Sequence, residues 1–203
     1  MKNKKTSLRN RINVLVAVCF IPLLVIALYL IIMLYRFSER YDETVQNITT
    51  ANEYNLELKE QIDYTMYIIV VNSERAEELV DTDTPQQLIS QAKNDFKELY
   101  DLAGASYTKN NLQRILKSLQ SLENSVTEIK KDATISGNYD RNLERLDLDI
   151  RVQTELIQDQ IQEYIYHEAS DLEALREGIR KDVMTAIEMS LIIVLTILIS
   201  ALL

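Results

Sequence analysis

Seven residues carry most of the chemistry open to this sequence: Tyr64, Tyr67, Tyr100, Tyr107, Tyr164, Tyr166 and His167. Tyrosine hydroxyls donate and accept hydrogen bonds, and imidazole is the side chain whose ordinary titration falls near neutral pH. Such residues line a ligand site when their polar ends converge. When the rings pack and the hydroxyls find partners, they form a polar-capped core layer instead. Both readings stand at the level of sequence. His167, the only histidine, could also sense pH, or serve simply as a packed residue of a helix. Arg75 has the chemistry to grip a carboxylate ligand, but Glu74, Glu77 and Glu78 beside it describe a solvated helix face. Enzymatic chemistry finds no foothold. There is no glycine-rich phosphate loop and no zinc spacing, and the one cysteine, Cys19, lies in an apolar run far from His167. No catalytic residue, metal ligand or cofactor is expected.

Whether the tyrosines meet depends on the elements that carry them. The chain has 203 residues with three Gly, two Pro and no Trp, a helical composition. Residues 12–35, INVLVAVCFIPLLVIALYLIIMLY, contain no charge. As a helix rising about 1.5 Å per residue, this run exceeds the roughly 30 Å hydrocarbon thickness of a bilayer. It is too long for the core of a secretory signal peptide and reads as an uncleaved first membrane span, which Pro22 could kink. Residues 1–11 form a basic tail in which Lys2, Lys4, Lys5, Arg9 and Arg11 meet no acid, so the N-terminus is expected to be cytoplasmic. A second apolar run, residues 189–203, reads as a second membrane helix cut short. That leaves residues 36–188 outside the cytoplasm.

From Arg36 to Thr185 the chain carries 30 acidic against 17 basic residues, a net charge near −13. This balance argues against nucleic acid as a partner. Apolar residues from Phe37 to Val80 recur at steps of three and four, predicting a first helix continuous from the span to about Asp81. Thr84, Pro85 and Gln87 predict the start of a second helix, with Thr84 as N-cap, and Gly104 predicts its end. A third helix carries Leu112, Ile115, Leu119, Leu122, Val126 and Ile129. The fourth begins near Asp140 and runs unbroken into the second span. The lengths predict an all-α architecture: an up-down-up-down four-helix bundle on a long two-helix stalk, flanked by two transmembrane helices. If the first two helices turn tightly at Thr84, the end of the second stands level with Tyr64, and the seven candidate residues form one belt where bundle meets stalk. A parallel homodimer through the stalk and membrane helices would cover their apolar stripe.

This layout, with the N-terminal NKKTSLRNRINVLVAVCFIPLLVI and the Tyr- and Asp-rich exterior, resembles the input half of bacterial membrane sensor histidine kinases. It is similar also to the four-helix input modules of methyl-accepting chemoreceptors. The resemblance implies a two-component receptor that detects an extracellular ligand or protein and passes the change inward by a piston, tilt or rotation of the fourth helix. Histidine kinase activity is then expected only in a cytoplasmic part beyond Leu203. The pair His167 and Glu168 is similar to the His-acid pair of a phosphoacceptor, but it lies on the outer side, away from any ATP-dependent partner. The alternatives are a chemoreceptor input module and a two-span structural or interaction protein without a signalling role.

Overall fold

A computed structural model describes residues 8–75, 83–133, 135 and 137–202 of the chain. Among these residues there are helices and no strands. Helix α1 covers Leu8–Arg75, α2 Thr84–Leu102 and α3 Ser106–Ala133. Then α4 (Tyr139–Arg145), a π-helical segment (Leu146–Arg151) and α5 (Val152–Leu202) follow one another with helical backbone at both joints. The expected end of the first helix near Asp81 and the basic residues Lys2, Lys4 and Lys5 lie outside the described residues. Two compact units result, one of Thr44–Ser170 and the other of the chain up to Glu43 together with Asp171–Leu203.

The Thr44–Ser170 unit is built on a single core. Along α1, Ala51, Tyr54, Leu58, Ile62, Met66, Ile69 and Val70 are buried, a stripe at steps of three and four that marks one helix face. Ile89, Ala92, Phe96 and Leu99 face it from α2, and the six expected residues of α3 are all buried. Cross-helix bonds fix the direction of each neighbour. Gln158 bonds the Asn55 carbonyl, Lys59 meets Glu155 and Thr154 meets Asp63, so α1 and α5 are antiparallel. Lys130 with Gln86 and Lys93 with Glu123 give the same sense to α2 and α3. Arg114 with Glu163 and Ser125 with Gln153 give it to α3 and α5.

Three expectations need correction. First, Asp83 rather than Thr84 occupies the N-cap of α2, and its side chain makes no capping bond. The helix is closed by the Gln87 amide donating to the Asp83 carbonyl at 3.0 Å. Second, the fourth helix is not an uninterrupted α-helix. Its inward positions Asn142, Leu146, Ile150 and Thr154 are spaced by four residues three times running. In an α-helix of about 3.6 residues per turn, each such step overshoots the face by roughly 40°. The wider turn at Leu146–Arg151 keeps these residues on one face. Third, Tyr54 stands beside Phe96, with ring centroids 5.6 Å apart, so α2 begins opposite the residues of α1 near Met66. The tight turn assumed from sequence would have placed it about fifteen residues further along, and with it the end of α2 level with Tyr64.

The other unit has a different surface. The segment of α1 from Phe20 onward includes a stretch long and apolar enough to cross a membrane, with mean hydropathy 2.3 and no burial. Val25, Leu28, Ile32 and Leu34 on α1, and Ile187, Leu191, Ile192 and Leu195 on α5, are all exposed. Apolar side chains turned outward in this density form an extended apolar surface, of the kind that marks contact with a partner or a lipid phase. Leu30 shares a cleft with Ala186, Ser190 and Val194, so α5 lies beside α1 in this unit.

Candidate functional site

The register described above divides the seven candidate residues. Tyr64 and Tyr67 stand near the level of Thr154 and Glu155 and are 66% and 53% exposed. Tyr164, three turns further along α5, is level with the start of the core at Ala51 and is fully buried. Tyr64 and Tyr67 therefore do not share a layer with Tyr164, and the continuous belt expected from sequence is replaced by a smaller group. The physical cause is the shifted α1–α2 register.

That group gathers where α2 gives way to α3. Tyr107, in the first turn of α3, places its hydroxyl 2.6 Å from His167 Nε2, and the two rings meet edge to face at 4.6 Å. Tyr166 adds a second edge contact to the imidazole at 5.6 Å. At the end of α2, Tyr100 carries the Lys109 ammonium 5.5 Å above its ring, a cation–π contact. A turn beyond Tyr107, Asn111 is 5% exposed and its amide nitrogen has no hydrogen-bond partner. Nε2 accepts from the Tyr107 hydroxyl in one neutral tautomer of the imidazole and donates to it in the other. The arrangement offers hydrogen-bonding groups to a ligand, and among the described residues it contains no activated nucleophile.

Sequence reasoning missed the polar character of the α3–α5 contact. Asn111, Ser118 and Ser125 recur every seven residues on α3, as do Gln153, Gln160 and His167 on α5. The antiparallel register sets the two series against each other, and Gln153 reaches Ser125 at 3.0 Å. Gln160 is buried, and its carbonyl oxygen has no partner. The common seven-residue spacing was the available signal. Polar residues at such positions fix register at a cost in stability.

Also missed was Tyr54, which is 4% exposed. Its hydroxyl donates to Asp95, and burial first, then the bond to the Asp95 carboxylate and its charge, push its pKa above the usual tyrosine value. The stripe position between Ala51 and Leu58 was the signal. Arg75, Glu77 and Glu78 cannot be placed, because their side chains lie outside the described residues. Among the described residues no cluster of His, Cys, Asp and Glu has the grouping of a metal site.

No protein-family model matches the chain, and no curated protein or solved structure is significantly similar to it.

Proposed function

We propose that this chain is the signal-input module of a bacterial membrane receptor, of the sensor histidine kinase type. The observation that carries the reading is continuity. α1 runs without a break from an apolar stretch into the core of the Thr44–Ser170 unit, and α5 leaves that core and reaches the exposed apolar residues beside α1. On this reading the core unit is an up-down-up-down four-helix bundle outside the cytoplasm, and α1 and α5 both enter the membrane. The Tyr107, His167 and Tyr166 group is the point at which an extracellular ligand or protein biases α5. A parallel homodimer fits the outward face of α1, where Leu56, Tyr64 and Tyr67 are exposed.

The test is a flexible Gly-Ser break inserted at Arg36 or at Thr185 in the receptor that carries this module. Loss of response with the core unit still folded supports transmission through these helices. A normal response with both breaks in place overturns it. The reading frame beyond Leu203 separates the alternatives: a coupling module and phosphoacceptor helix favour the kinase, a long methylation coiled coil favours a chemoreceptor, and neither favours a structural role.

A further inference from the structure

Between α1 and α5, within the unit that holds the apolar stretch, lies a groove of about 840 Å³, a size typical of sites for small molecules. Ile32 and Met33 of α1 form its apolar floor, at the end toward the apolar stretch, and Leu175 and Ile179 of α5 add apolar lining. Its rim on α1 is charged with both signs: Arg36 and Arg40 supply two cations, and Glu39 and Glu43 supply two carboxylates, while Asp182 lines the α5 side. Neither arginine has an ion pair among the described residues, whereas Arg176 and Arg180 are each engaged by a glutamate three residues earlier. At the groove, α5 presents Gly178, and a β-carbon built there meets nothing within 4 Å. The notch is therefore open, not a site of close helix contact.

The position of the groove narrows its occupant. Arg36 is the first charge after the apolar residues 12–35, and Arg40 follows one turn later on the same face. If α1 crosses a membrane, as the proposed function holds and as this inference requires, the floor is at the depth of acyl chains and the rim at the depth of headgroups. Two guanidinium groups suit a phosphate, which they bind through paired N–H donors. The carboxylates of Glu39 and Glu43 around the same opening disfavour a purely anionic headgroup and accept hydrogen bonds from a primary ammonium group. A choline headgroup has no N–H to offer them.

We propose that this groove holds one phospholipid with a primary ammonium headgroup, such as phosphatidylethanolamine. Arg36 and Arg40 engage its phosphate, the rim carboxylates its ammonium group, and the floor one acyl chain. The bound lipid then links α1 to α5 at the membrane boundary.

The experiment uses the full chain in maltoside micelles offered equal amounts of dioleoyl phosphatidylethanolamine, phosphatidylglycerol and phosphatidylcholine, with retained lipid read by native mass spectrometry. The expected result is selective retention of one phosphatidylethanolamine per chain. Gly178→Leu fills open space and should abolish retention without unfolding the helix. Arg36→Gln with Arg40→Gln should weaken it about tenfold or more, the loss of at least one charge-assisted contact. Equal retention of the three lipids, preference for phosphatidylglycerol, or unchanged retention in Gly178→Leu would overturn the proposal. Flotation of the chain with phosphatidylcholine vesicles separates the two layers of inference. A chain that fails to float overturns the membrane reading and the proposal together, and a chain that floats without selecting the lipid overturns the proposal alone.

Discussion

Tyr54 donates its buried hydroxyl to Asp95, 41 residues away in sequence, and so joins α1 to α2. Tyr54→Phe removes a hydrogen bond to a charged acceptor and should cost about 1.5–3 kcal/mol. The same pair gives an alkaline signature. Folding raises the Tyr54 pKa above the ordinary tyrosine value of about 10. The folded chain therefore keeps a proton that the unfolded chain loses above that value. The stabilisation is fully present below about pH 10 and declines as pH rises toward the folded pKa. Denaturation of the full chain in micelles, followed by circular dichroism from pH 8 upward, should show a decline that Tyr54→Phe reduces.

Asn142 is 0% exposed, and neither polar atom of its side chain has a hydrogen-bond partner. Leaving such an amide unpaired costs about 1–3 kcal/mol. Asn142→Leu, which has the same branching with methyl groups in place of the amide, should raise the stability measured in the same denaturation assay by about 1 kcal/mol. Asn142→Asp, which introduces a charge at the same place, should lower it.

Arg145 ties three acids together, with Glu128 at 2.8 Å, Asp149 at 3.1 Å and Asp132 at 3.3 Å. Its own side chain is 17% exposed, but Glu128 and Asp149 reach solvent, so the node is worth less than a fully buried one. Arg145→Met should destabilise by about 1–3 kcal/mol, and Arg145→Lys by a smaller amount because it keeps the charge but loses the planar fork. Added salt should narrow the difference between native and Arg145→Met chains.

The homodimer reading makes a prediction that needs no ligand. With Cys19 replaced by Ser, Tyr67→Cys should form an interchain disulfide on oxidation in membranes, because Tyr67 lies on the outward face of α1. A cysteine at Leu119, buried within the core of one chain, should not. Crosslinking at neither position would remove the support that the exposed Tyr67 gives to pairing.

The helical class and the inward face of α3 were legible because Leu112 through Ile129 repeat at steps of three and four with no breaker among them. Register was not legible. It depends on where α1 passes its neighbour, and Tyr54 against Phe96 is a tertiary choice that no local signal encodes. The candidate site was half visible for the same reason. Tyr107, Tyr166 and His167 meet because α3 and α5 are antiparallel at the expected level, whereas Tyr64 and Tyr67 needed a register the chain does not adopt. The π-helical segment was written in the spacing from Asn142 to Thr154, which an even helical pattern read past.

That segment sets how the chain tolerates change of length. A π turn accommodates one residue more than an α-helical turn. Removing a single residue within Leu146–Arg151 would return the turn to ordinary pitch and leave the faces on either side in phase. Removing one between Val152 and Gln160 would rotate Gln160, Tyr164 and His167 by about 100° relative to α3. The fourth helix therefore holds its allowance for insertion and deletion in six consecutive positions, at the opposite end of the core unit from the Tyr107–His167 contact.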